Sequence, residues 1–277
     1  MKDSKILVLS DLREFSQVVA KKAISFSKQY NKPLEVLNIE EKSFFDFFKE
    51  KAEESIQKCK ETLQAMYEGS DANITCEYGD FMPIVQKSIE DNNISMIIVG
   101  FKRERTFVED LINGSYLNDI VRKTNIPVLV VKTEDEPSYK NILVPSDLSF
   151  ESKENIEYLA KLFPESTLYI EHYYKTFFED RMRFYGFDVD ESNRFINHFR
   201  YEAEENLSAF VDSLSLPKTI KIKFNAKKYV DFNSMVKESI EDNDIDLLSL
   251  STSGYVSIFS FDLLEKSPKD VIIFKIN

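Results

Sequence analysis

Two tandem doubly wound α/β domains are the fold the sequence predicts, and three observations carry that prediction. Residues 6–12 read ILVLSDL and residues 142–148 read ILVPSDL, identical at six of seven positions at an offset of 136. Residues 87–94, KSIEDNNI, and 238–245, ESIEDNDI, agree at six of eight positions at an offset of 151. The matches occur in the same order, which marks a duplication and sets the domain count more firmly than length does. Third, short runs rich in Val, Ile and Leu alternate with longer stretches of helical spacing, as strands buried on both faces of a parallel sheet do. The repeats are placed at 1–133 and 140–277, joined by TEDEPSYK at 133–140.

In the first half the strands are KILVLS, LEVLNI, ITCEY, SMIIVG and PVLVVK. Between the first two, Phe15, Val18, Val19, Ala23, Phe26 and Tyr30 fall on one helical face, a helix that covers the sheet. FFKEKAEESIQKCKETLQAMY, MPIVQKSIEDN and LINGSYLNDIVRKT supply the remaining crossovers. The second half repeats the order with NILVPS, TLYIEHY, IKIKF, DLLSLS and DVIIFK. Each domain is then a Rossmann-like, five-stranded parallel sheet flanked by helices. The offset grows by 15 between the two matches, which places extra residues of the second half near 172–200.

Composition narrows the function. The 277 residues carry 48 acidic against 36 basic side chains, a net charge of -12, which argues against nucleic acid as partner because affinity there comes from neutralised phosphates. No stretch reaches the roughly 18 apolar residues of a bilayer span, and the N-terminus lacks a leader pattern, so no membrane partner is expected. Cys59 and Cys76 are the only cysteines and are not closely spaced; neither a disulfide framework nor a thiolate zinc site is expected, and a reducing cytoplasm fits. His172 and His198 have no metal-like spacing. There is no Gly-x-Ser-x-Gly elbow and no Walker loop, so no catalytic residue and no metal ligand is named, and an enzyme is not expected.

The stretch GFKRERTFVEDLINGS, 100–115, follows the fourth strand of the first half. With ILVLSD, ILVPSDLSFES and IPVLVVK, it resembles the universal stress protein family in tandem form, over essentially the whole chain. In nucleotide-binding members the resemblance implies a motif of Gly, two residues, Gly, nine residues, then Gly with Ser or Thr. Glycines there let backbone N–H groups approach phosphate, and the next helix N-terminus adds partial positive charge. Gly100 takes the first place, Arg103 stands at the second glycine, and Gly114 with Ser115 closes the motif after ten residues instead of nine. Arg103 would replace a backbone contact by a charge-assisted bond. Asp11 matches the acidic residue that contacts the nucleoside. The resemblance therefore implies ATP or AMP in the first domain at Asp11, Gly100, Arg103, Gly114 and Ser115, with accompanying Mg²⁺ left open. The competing reading of Lys102, Arg103 and Arg105 is a solvated loop. In the second half Ser251 and Gly254 hold the first two places, no Gly-Ser pair follows, and eight residues are missing, so nucleotide is not expected there. Asp147 is expected to cap the helix beginning near Ser149.

Two aromatic clusters, FFDFF at 44–48 and YYKTFFEDRMRFYGF at 173–187, follow the second strand of each half. They are read either as core packing or as a surface for a protein partner or apolar ligand. The final strands PVLVVK and DVIIFK are expected to pair, within one chain as a monomeric pseudo-dimer or across a homodimer. Two functions stay open: a nucleotide-binding stress-response regulatory module, or an interaction module working through its aromatic surfaces. Weak ATP hydrolysis is a third reading with no base to name.

Overall fold

A computed structural model describes residues 4–13, 15–41, 49–101, 116–135, 138–176, 185–251 and 263–275. The chain forms two compact units: Met1–Ser138 together with Pro268–Asn277, and Tyr139–Ser267.

In the first unit β1 (Lys5–Leu9), β2 (Leu34–Glu40), β3 (Asn73–Tyr78), β4 (Ile94–Gly100) and β5 (Val128–Val131) alternate with α1 (Ser16–Tyr30), α2 (Lys49–Met66), α3 (Phe81–Asn92) and α4 (Tyr116–Lys123). The strand order is β3-β2-β1-β4-β5. Neighbouring strands pair in parallel. Ile6 and Leu7 of β1 and Met96 and Ile97 of β4 are fully buried, which explains why these strands are unbroken apolar runs. Of the expected helical spacing in α1, Val19, Ala23 and Phe26 are buried. Asn31 and Asn93, at φ 49° each, end α1 and α3 in the left-handed conformation that asparagine tolerates.

The second unit holds β6 (Asn141–Ser146), β7 (Thr167–Tyr174), β8 (Lys221–Lys228) and β9 (Leu247–Ser251) with α5 (Phe150–Leu162), α6 (Val189–Asp212) and α7 (Phe232–Asp242). The order β9-β6-β7-β8 is again parallel. β8 runs four residues past the expected IKIKF because Asn225 to Lys228 continue the ladder along Glu171 to Tyr174. Lysines in that extension hid it. Lys227 reaches inward to Glu171 at 2.9 Å, and Glu171, 4% exposed in total, also accepts from Tyr173 and Ser239 at 2.6 and 2.8 Å. A buried carboxylate is tolerated because the network around it supplies donors. The extra residues of the second half fall partly in α6, whose first turn carries a reciprocal capping box between Asp188 and Glu191.

The last strand, β10 (Asp270–Phe274), lies in the first unit and pairs antiparallel with β5, Ile272 opposite Leu129. Asp270 is 1% exposed and forms an ion pair of 2.6 Å with Lys22 of α1, itself 5% exposed. The same carboxylate accepts from the Lys132 and Thr133 amides at 2.8 and 3.0 Å. The expected pairing of the final strands is therefore made within one chain.

Cys59 of α2 and Cys76 of β3 form a disulfide, Cα atoms 6.4 Å apart, which corrects the expectation of unbridged cysteines. A separation of 17 residues matches no compact cysteine motif. The α2–β3 crossover nonetheless folds the helix back onto the strand and brings the side chains within bridging range.

Candidate functional site

All parallel strands of the first unit end on one edge, and the residues after β1 and β4 meet there. Leu9 is in register with Val99, so Ser10–Asp11 and Gly100 leave the sheet side by side. β1 lies between β2 and β4, where successive crossovers diverge, the place at which such sheets hold ligands.

Asp11 is set by a local device. Its Oδ1 accepts from the Arg13 amide at 3.1 Å and from Ser16 Oγ at 2.6 Å, while Oδ2 lies 3.8 Å from Arg13 Nε. The turn passes through Leu12 at φ 60°, a conformation uncommon for a non-glycine residue. It recurs in the second half: Leu148 has φ 62°, and Asp147 Oδ1 accepts from the Ser149 amide, Ser149 Oγ and Ser152 Oγ at 3.0, 2.6 and 2.6 Å. Ser149 itself caps α5 by accepting from the Ser152 amide, so Asp147 supports the cap instead of being it. Ser16 and Ser152 were missed in the sequence, although the spacing Asp, four residues, Ser occurs in both halves.

Gly100 has a packing reason for its identity. A Cβ there would lie 2.7 Å from Val19 Cγ2 and 3.3 Å from Phe15, so the missing side chain lets α1 approach the end of β4. Arg103, Gly114 and Ser115 lie outside the described residues, as do Lys102 and Arg105. The first helix after them begins at Tyr116, whose ring stacks 4.3 Å from Phe81 at the start of α3 and whose hydroxyl bonds the Glu41 carboxylate. The starts of α3 and α4 and the residue after β2 thus converge.

Asn38, near the end of β2, was also missed. Its Nδ2 donates to the Ser10 carbonyl at 2.8 Å, fixing the backbone just before Asp11. In the second unit His172 does the same to the Ser146 carbonyl from Nδ1 at 3.0 Å. A carbonyl only accepts, so this His carries its proton on Nδ1. Asn155 Nδ2 donates to Ser251 Oγ at 3.1 Å at the end of β9; Gly254 lies outside the described residues.

A separate polar cleft of about 120 Å³ lies between β2, β3 and α3, lined by Glu35, Thr75, Glu77, Lys87 and Asp91; it includes neither Asp11 nor Gly100. No group of three or more His, Cys, Asp or Glu among the described residues could hold a metal ion. No helix among the described residues is long and apolar enough to cross a membrane.

The aromatic clusters divide. Tyr173 is half-buried against Phe232, ring centres 5.2 Å apart, and burial pushes its hydroxyl well above the ordinary phenol range. Tyr185 and Phe187 are 63% and 46% exposed. Residues 44–48 and Phe177, Phe178 and Phe184 lie outside the described residues.

Residues 4–132 match the family model described as Universal stress protein family. A universal stress protein from Archaeoglobus fulgidus DSM 4304 superposes with a TM-score of 0.61 at 17% identity, over 99% of this chain and 97% of its own. A functionally unknown protein from Pseudomonas aeruginosa PAO1 superposes with a TM-score of 0.54 at 14% identity, over 98% of this chain and 92% of its own. These likenesses span both halves and establish the shared fold. Among curated proteins none matches the chain.

Proposed function

We propose, from the premise that residues 4–132 are a universal stress protein domain, that the first unit binds an adenine nucleotide and that the chain is a cytoplasmic regulatory module, not a catalyst. The observation that carries this reading is the side-by-side exit of Asp11 and Gly100 at the strand ends where doubly wound sheets bind ligands. Asp11 keeps Oδ1 on Ser16 and the Arg13 amide, and Oδ2 would accept from a nucleoside hydroxyl. Asn38 holds the Ser10 carbonyl and so steadies the approach. Arg103, Gly114 and Ser115 are assigned to the phosphates, the glycine and the start of α4 by backbone N–H groups and Arg103 by charge. Whether Mg²⁺ accompanies them is part of the test.

Calorimetric titration of ATP and of AMP, each with and without Mg²⁺, tests this reading. Wild type is expected to bind, Asp11→Ala to lose at least about tenfold in affinity, the scale of one charge-assisted hydrogen bond, and Gly114→Val to lose binding. Asp147→Ala, in the half with the shortened loop, is expected to bind as wild type. No heat with any nucleotide would favour the interaction module instead, for which the exposed Tyr185 and Phe187 speak.

A further inference from the structure

We propose that the Cys59–Cys76 disulfide is a redox switch whose state is passed through Asn38 to the end of β1 at Ser10 and Asp11. Cys76 stands directly beside Asn38 in the β2–β3 ladder, and Cys59 Sγ lies 3.4 Å from Asn38 Oδ1. Asn38 in turn donates from Nδ2 to the Ser10 carbonyl at 2.8 Å, one residue before Asp11. One amide side chain thus touches the sulfur pair with one end and the candidate site with the other.

The two redox states differ at that contact. A disulfide sulfur has no hydrogen, so in the oxidised state Oδ1 faces a sulfur that cannot donate. A Cys59 thiol has a weak S–H donor and at the same distance can bond Oδ1, which draws Asn38 toward α2 and reorients the donor on Ser10. Reduction also removes the covalent cross-link between α2 and β3, and β3 is the edge strand of the first unit. Both half-cystines are 6% exposed, so exchange proceeds through local opening of this edge.

The chemistry is thiol–disulfide exchange with a small-molecule disulfide. The Cys59 or Cys76 thiolate attacks one sulfur of the reagent, expelling one thiolate and forming a mixed disulfide. The second cysteine then displaces the other reagent thiolate. The protein loses two electrons and two protons, and the reagent becomes two thiols. A dithiol reverses both steps. In a reducing compartment the bond would form only under oxidative challenge, as cytosolic redox-sensing disulfides do.

Hydrogen exchange of the full chain in oxidised glutathione and in reduced dithiothreitol, with thiol titration alongside, tests the switch. Oxidation is expected to consume two thiols and to raise protection over residues 59–78 by up to on the order of a hundredfold, the constraint of a loop this long. Ser10 and Asp11 amides are expected to change protection in the same titration. In Asn38→Leu the response at 59–78 should persist and the response at Ser10 and Asp11 should vanish. In Cys76→Ser neither region should respond. AMP titration in both states is the one arm that rests on the nucleotide reading. A severalfold difference in affinity is expected, and no binding in either state would sink that reading while leaving the exchange result intact. The switch itself is overturned if two thiols stay titratable in excess oxidised glutathione, or if Ser10 and Asp11 respond alike in wild type and Asn38→Leu.

Discussion

At the scale of single residues, the two strand-end aspartates show how a repeated turn is built before any ligand is considered. Burial pushes the Asp147 carboxyl up, but hydrogen bonds from Ser149, Ser152 and the backbone outweigh it and hold the group below its ordinary value of 3.8. A carboxyl depressed in the folded state contributes stability that is present above its unfolded value and is lost as pH falls through the folded one. Ser152→Ala removes one donor, so it is expected to raise the Asp147 value and move the acid limb of the unfolding curve to higher pH. Carboxyl carbon shifts followed against pH, with acid unfolding by circular dichroism, measure both; an unmoved Asp147 titration would contradict the account. Gly100 teaches the opposite lesson. As part of a glycine motif it looked like a phosphate contact, yet its neighbours Val19 and Phe15 already demand the absence of a side chain. Its identity therefore carries less weight for nucleotide than that of Asp11.

At the scale of elements, strands with unbroken apolar runs were legible because burial on both faces leaves no room for polar residues. β1, β4 and β5 coincide with their expected segments to within two residues. β8 was partly hidden because Lys223 covers Tyr169 with its ammonium and Lys227 neutralises Glu171, so a strand with four lysines is still half-covered. The disulfide was illegible because it joins a helix to a strand across a crossover, a pairing that spacing alone cannot reveal. The adjacency of Asp11 and Gly100 at neighbouring strand ends was legible in the sequence, whereas Ser16 and Asn38 act through contacts that only the folded strand ends create. β10 is held by a pair whose members differ in what remains when the other is removed. Without Lys22, Asp270 still accepts from the Lys132 and Thr133 amides and from Thr133 Oγ1. Without Asp270, Lys22 keeps the Thr133 hydroxyl at 2.8 Å but faces no carboxylate in that network. Asp270→Ala is therefore expected to cost about 3–5 kcal/mol, the range for stranding one member of a buried ion pair, and Lys22→Met distinctly less. Urea unfolding of both variants measures the order, and a larger loss in Lys22→Met would refute it.

At the scale of the whole molecule, the duplication changes what the last strand of each repeat must do. A single domain ending in a short, fully apolar strand such as VLVV leaves an edge that invites a second chain. Here the far end of the same chain supplies the partner: Val271, Ile272 and Ile273 lie antiparallel to Val130, Leu129 and Val128. The pairing is intramolecular, so it forms at an effective concentration no second molecule matches, and dilution does not release it. The intact chain is accordingly expected to sediment as a species of 32.3 kDa across a wide concentration range. A chain ending at Ser267 lacks β10, exposes β5 and leaves Lys22 without Asp270. It is expected to associate into species of about twice the mass or larger, since β5 then presents an uncovered edge whose four residues include no charge and no proline to discourage pairing. Adding the peptide 268–277 in trans should reverse part of that association if β10 alone closes the edge. A truncated chain that stays monomeric at the same concentrations would show that β5 needs no cover, and the duplication would then have to be explained by something other than edge closure.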